Sequence, residues 1–203
     1  MAGEPETLFG SAKKLFSERP RDNHFNPREL RPRRRNYVIR EQDGNRFWDI
    51  MTWDVLGGVA SYPMTNVRDL KKRWRKLASV PENRCIVPLT EFAEFTPELH
   101  DLGDGKKPLK GEMWFSLPEQ PVFAVGGFWQ DTEVGRSFAM VTCDPNSLVE
   151  PIHPKAMITI LKPEDVDTWL LGSYDEVLAL QKPYDAGLMT VRGPVFPTRR
   201  GEH

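Results

Sequence analysis

The sequence predicts a single α+β domain with a curved, mostly antiparallel β-sheet, barrel-like in its core, and peripheral helices. Three observations predict it. Short apolar runs of strand character outnumber helical ones. Strands and helices do not alternate regularly, which is the pattern of a mixed domain. A chain of 203 residues is long enough for one domain with a real core, or for two very small ones.

The elements follow in order. Ser11 to Glu18 reads as a weak short helix, with Ala12, Leu15 and Phe16 on one side. Residues 23 to 35 are rich in Pro and Arg and predict an extended loop. Tyr37 to Glu41 and Arg46 to Leu56 form a hairpin around the turn signal Asp43-Gly44-Asn45. Asp69 to Ser79 is an amphipathic helix: Leu70, Trp74 and Leu77 fall at i, i+4 and i+7, and Asp69 can cap the first turn. Ile86 to Phe95, Glu112 to Leu117, Val122 to Trp129 and Ser137 to Cys143 are β-like. Residues 97 to 111 are polar and predict a surface loop. Met157 to Leu161 is a short apolar strand, and Pro163 to Leu171 a helix with a suitable first turn. Ser173-x-x-Glu176 is a capping box that opens a helix to about Lys182. The domain is expected to span 1–193, with a frayed tail over 194–203.

Composition narrows the class. At 39% hydrophobic and 28% charged residues the chain reads as a soluble globular protein. No stretch approaches the roughly 18 apolar residues of a membrane span, so no membrane partner is expected. The start MAGEPETLFG lacks a basic region followed by an apolar one, so it is not a secretory signal. Cys85 and Cys143 argue against a disulfide scaffold and fit a reducing cytosol. Both lie in apolar strand patterns, as core thiols do. His24, His100, His153 and His203 are scattered, so neither metal nor cofactor is expected.

The net charge of -1 hides an asymmetry. Residues 28 to 40 hold Arg28, Arg31, Arg33, Arg34, Arg35 and Arg40 against Glu29 alone. Residues 71 to 76 hold Lys71, Lys72, Arg73, Arg75 and Lys76 with no acid. Such density attracts polyanions, or else forms two solvated faces.

Three polar residues stand in settings that suit chemistry. Glu94 lies in an apolar run; if it shares a face with Phe92, desolvation raises its pKa and suits it to proton transfer. The alternating pattern equally allows Glu94 to be the exposed half of its strand. His153, between Pro151 and Pro154, is an acid or base near neutral pH if buried at a site, and otherwise a surface histidine. Asn66 can orient a substrate or simply form a turn.

Together these segments resemble one family. Cys85-Ile-Val-Pro-Leu-Thr-Glu-Phe-Ala-Glu94-Phe95 resembles the pattern Cys-x-x-Pro-x-x-x-Phe-x-Glu. Asn66-Val67-Arg68 resembles an Asn-x-Arg motif, and Met51-Thr52-Trp53 an Arg-Trp-Gly strand end. Thr142-Cys-Asp-Pro-Asn146, leading to Ile152-His153 and Met157-x-x-Ile-Leu161, resembles a histidine motif. This is the pattern of SRAP, the SOS-response-associated peptidases that shield abasic sites in single-stranded DNA. The resemblance spans nearly the whole chain, in order.

It implies a partner, single-stranded DNA carrying abasic sites, and a cytoplasmic, nucleoid-associated monomer. In the family, an N-terminal cysteine freed of its methionine traps the sugar aldehyde. Its amine forms a Schiff base, and its thiol then closes a thiazolidine ring. By resemblance, Asn66 positions the N-terminal residue or the sugar, Glu94 assists proton transfer at the amine, and His153 acts on the sugar oxygen and the Schiff base. Arg68 and Lys155 hold phosphates, Trp53 offers a stacking surface, and Arg33, Arg34, Arg35 and Thr142 complete the expected DNA contacts.

The sequence also departs from the family. It reads Met1-Ala2-Gly3-Glu4 where the family has Met-Cys-Gly-Arg. Ala2 stands at the nucleophile's position, so the expected chemistry is lost or stops at a Schiff base. Cys85 and Cys143 carry no free amine and cannot substitute. Glu4 replaces a basic residue, Ala93 and Phe95 replace an aromatic pair, and Lys155-Ala156-Met157-Ile158 replaces an Arg-Met-Pro arrangement. Two alternatives remain: a non-catalytic single-strand-binding module, and a peptidase.

Overall fold

The structure, a computed structural model, describes residues 30–196. Ala2, the expected helix at Ser11 to Glu18 and the first part of the 23–35 loop lie outside the described residues.

The first hairpin forms where its turn signal puts it. Strand β1 (Arg35–Gln42) pairs antiparallel with β2 (Asn45–Trp53). Asp43 and Gly44 both adopt positive φ in the turn, a conformation that glycine, and to a lesser extent aspartate, tolerates. β3 (Asn66–Val67) is short. β4 (Arg84–Leu89), β7 (Phe123–Thr132) and β8 (Gly135–Cys143) follow. The pairing order β7-β4-β1-β2-β8 closes on itself, because β7 also pairs with β8. The result is a five-stranded barrel. β2 and β3 each run parallel to β8; the other pairings are antiparallel.

Closure covers both faces of the wall. On β1, Val38 joins the cluster that includes Met51, Phe123 and Phe138, while its neighbour Ile39 joins the cluster on the other face with Phe128 and Trp169. Successive side chains point to opposite faces, so a wall buried on both sides reads as a continuous apolar run. Helix α2 (Val166–Leu171) lays Trp169 against the barrel, fully buried, with its indole N–H donating to the Cys85 carbonyl at 3.0 Å. Gly126 makes this approach possible: a Cβ there would lie 2.6 Å from the Trp169 ring.

Arg84 is buried nearby, and burial pushes its pKa down. Its guanidinium donates to the carbonyls of Ala78 at 3.1 Å and Gly172 at 2.6 Å, tying the end of α1 (Arg75–Ala78) to the end of α2.

A second sheet of three strands, β5 (Phe92–Phe95), β6 (Glu112–Ser116) and β11 (Thr190–Val195), stands beside the barrel. The apolar run Ile86 to Phe95 is therefore two strands in two sheets. The run Met157 to Leu161 also divides. β9 (Met157–Ile158) pairs with β8, and β10 (Ile160–Leu161) with β7. Between them, Thr159 donates its N–H to Val141 and accepts from Gly126, which bridges the β7–β8 seam.

Two helical expectations need correction. Only Arg75–Ala78 of the segment Asp69 to Ser79 is α-helical. The Asp69 carboxylate accepts from the Lys72 N–H at 3.1 Å, as a cap does. But the Trp74 N–H reaches the Asp69 carbonyl at 3.1 Å, a wider loop than an α-turn. Five cations in six residues repel one another in a regular helix, and burial of Leu70 fixes the segment instead. In the second case, a 3-10 turn at Pro163–Asp165 precedes α2. The capping box is present: the Ser173 hydroxyl accepts from Glu176 and the Glu176 carboxylate from Ser173, opening α3 (Tyr174–Leu180). β11 runs past Pro194, pairing Val195 with Glu112.

Candidate functional site

β5 decides the position of Glu94. Phe92 is buried and stacks on Phe115 at 4.9 Å, whereas Ala93 is exposed and Phe95 is 58% exposed. With a period of two, Glu94 falls on the Phe92 face. The reading of Glu94 as the exposed half of the strand is thereby overturned. Burial pushes its carboxyl above the ordinary carboxylate range, and the neighbouring His153 partly offsets this.

His153 comes from a turn that Asn146 builds. The Asn146 side-chain oxygen accepts the N–H groups of Leu148 at 3.1 Å and Val149 at 3.0 Å, and its amide nitrogen donates to the Tyr184 carbonyl at 2.8 Å. The Val149 carbonyl then accepts from both Ile152 and His153. The chain is thus held rigid up to the imidazole. His153 Nδ1 lies 2.8 Å from the Ala156 carbonyl and 3.4 Å from Glu94 Oε1. A carbonyl oxygen only accepts, so Nδ1 carries the hydrogen in the neutral ring. Nε2 is left with the lone pair and is the basic atom. The arrangement can hold a proton on Glu94 and take one at His153 Nε2.

The other expected residues sit around this pair in different ways. Asn66 is exposed on β3, in register with Met140 of β8. Two residues on, Arg68 pairs with Asp144 and donates to the carbonyl of Lys155, within the His153 loop. Lys155 itself is exposed. Thr142 is buried: its hydroxyl donates to the Val67 carbonyl at 3.4 Å, so it joins strands and does not face solvent. Gln181 donates to the carbonyls of both Arg68 and Thr142, at 2.6 and 2.8 Å. Trp53 stacks on Phe138 at 6.5 Å and donates to the Thr65 carbonyl next to Asn66. Arg33 and Arg34 pair through their backbones with Trp53. The Arg33 side chain reaches Asp54 and two carbonyls of the following loop, whereas Arg34 and Arg35 are exposed.

Contacts therefore join Glu94 to His153, and Arg68 to the His153 loop. Asn146, Asp144 and Gln181 carry the scaffold of the site and were missed as such. An Asp-Pro-Asn run is a turn signal, and only that part of their role is visible locally. Among the described residues, no group of three or more His, Cys, Asp or Glu side chains could hold a metal ion. Burial pushes both thiols up, Cys143 to about 11. No described helix is long and apolar enough to cross a membrane.

The pattern of the SOS response associated peptidase (SRAP) family matches residues 5–195. The chain belongs to the SRAP family. Membership ties it to the DNA damage response and to DNA as a partner. Among solved structures it is similar to a Bacteroides thetaiotaomicron protein at 24% identity and a TM-score of 0.62, over 78% of this chain and 73% of that one. A Bordetella bronchiseptica protein shares 19% identity with a TM-score of 0.63, over 80% and 84% of the two chains. A phage-related protein of the same organism shares 16% with a TM-score of 0.63, over 84% and 81%. These likenesses show a shared fold, and the family rests on the match over residues 5–195. No curated protein matches the chain.

Proposed function

We propose that this SRAP chain binds single-stranded DNA at abasic sites, with the opened sugar at the Glu94–His153 pair. One observation carries the reading: a half-buried carboxyl whose pKa is raised by burial sits 3.4 Å from an imidazole on a separately built turn. Acid–base work on an aldehyde needs such a pair. An amine attacks the aldehyde carbon, the C–N bond forms, and a carbinolamine results. Its hydroxyl leaves as water with the Glu94 proton, giving a Schiff base, while His153 Nε2 accepts the proton lost by nitrogen. The resemblance supplies the amine as Ala2 after loss of Met1. Alanine brings no thiol, so the adduct stops at the reversible imine. Asn66 and Trp53 flank the sugar, and Arg34, Arg35, Arg68 and Lys155 face phosphates.

The test is reductive trapping. Incubation with abasic single-stranded DNA and cyanoborohydride should give a band on a denaturing gel, and without reductant none. Glu94→Gln should slow trapping by about a hundredfold. Ala2→Cys should give an adduct that needs no reductant. Equal affinity for intact and abasic strands, with no trapping, would show instead a non-catalytic binding module.

A further inference from the structure

Arg68 and Asp144 each stand one residue past a strand end. Arg68 follows β3 and Asp144 follows β8, and the two strands run parallel with Val67 in register with Val141. Both ends are tied down. The Thr142 hydroxyl donates to the Val67 carbonyl at 3.4 Å, and Gln181 donates to the carbonyls of Arg68 at 2.6 Å and Thr142 at 2.8 Å. On the other side of β8, Cys143 pairs with Met157, which brings the end of the strand against the residues that follow His153.

The Arg68 guanidinium has two partners. Nη1 donates to the Lys155 carbonyl, and Nη2 donates to the Asp144 carboxylate. The next carbonyl along, that of Ala156, lies 2.8 Å from His153 Nδ1. The first partner therefore holds the His153 turn, whereas the second cancels the charge of the cation. The two side chains of the ion pair are 45% and 79% exposed, so it adds little to stability. What it does is occupy the fork. A carboxylate and a phosphate each offer a guanidinium the same pair of acceptor oxygens.

We propose that Asp144 is a built-in rival of the DNA phosphate for Arg68 Nη2, so that a strand must displace a carboxylate to seat at the Glu94–His153 site. This rests on the DNA-binding reading above and adds a residue that tunes it. The exchange takes place at Nη2 alone: Nη1 keeps the Lys155 carbonyl, and the His153 turn stays in place. The displaced carboxylate remains beside the phosphate and repels it, which weakens binding and speeds release.

The experiment measures binding of an oligodeoxythymidylate carrying one tetrahydrofuran abasic site, by fluorescence anisotropy across a salt series. Asp144→Asn should tighten binding about fivefold or more at low salt and steepen the salt slope by about 1. Asp144→Glu keeps the charge and should bind as the unsubstituted protein does. Glu133→Gln changes the net charge equally, but in the β7–β8 turn at the far end of β8, and should have little effect. Arg68→Ala should cost more affinity in the Asp144→Asn background than alone, because only there is the cation free of its rival. Any effect of Arg68→Ala on the turn itself is common to both backgrounds and cancels. Unchanged or weaker binding by Asp144→Asn, an equal gain from Glu133→Gln, or additive effects of the Arg68 and Asp144 substitutions overturn the competition and leave the DNA-binding reading standing. Failure of both the unsubstituted protein and Asp144→Asn to bind at low salt overturns both.

Discussion

The α2 side of the barrel and the rim that carries the candidate site are held by different forces. Around Trp169, Phe128 and Ile86 the contacts are apolar, close and fully buried. At the rim, single polar side chains hold whole loops: Asp54 the 54–64 turn, Asn146 the approach to His153, and Gln181 the ends of β3 and β8. Apolar packing resists change in every direction but places no chemical group. Hydrogen bonds from one side chain to several backbone atoms fix direction, and a site needs fixed direction. The barrel therefore supplies stability, and the rim holds Glu94 and His153 in set positions.

Changes on the two sides should separate accordingly. Trp169→Ala should have the largest effect, about 3–5 kcal/mol of stability, read as a lower denaturant midpoint. A loss near zero would mean the barrel face is not the stabilising region. Asp54→Ala leaves three loop N–H groups without their acceptor and should cost about 1–3 kcal/mol. It should also raise amide exchange across 56–64 while exchange in β4 and β7 stays slow. Uniform acceleration would erase the distinction between rim and barrel.

Glu94 sharpens the contrast through pH. Its folded pKa is raised by burial, so the folded state binds the proton more tightly than the unfolded chain. That stability is present below the ordinary glutamate value of about 4.3 and is lost as pH rises through the raised folded value. Glu94→Gln removes the titration. Relative to the unsubstituted protein, the variant should gain stability as pH rises through this window, measured by urea unfolding at several pH values. An opposite slope would mean that the carboxylate is stabilised in the folded state. The smallest effect belongs to the exposed cations. Replacing Lys71 and Lys72 by alanine should leave stability within about 0.5 kcal/mol. If both contact phosphate, the replacement reduces the DNA salt slope by about 2. An unchanged slope would remove this segment from the electrostatic footprint.

Much of the fold was legible. The hairpin around Asp43-Gly44-Asn45, the strands of the second half and the Ser173–Glu176 box are local patterns, and local backbone preferences decide them. The helix at Asp69 to Ser79 was read too long, because periodicity reports which residues are buried and not how the backbone winds between them. Where the chain changes sheet, at Thr90-Glu91, and where it changes partner strand, at Thr159, pattern was also silent: an apolar run looks the same whichever partner it pairs with. The motifs named Glu94 and His153, but alternation left the facing of Glu94 open by one register step.

What the sequence determined by itself was the set of pieces: which segments extend, which turn, and which residue types are available for chemistry. It could do so because turn, cap and alternation signals act over a few residues. Closure of five strands into a barrel, and the meeting of a carboxyl from the small sheet with an imidazole from a distant turn, were decided by tertiary structure alone. Such contacts depend on how buried faces pack against one another, and no short stretch of chain records that.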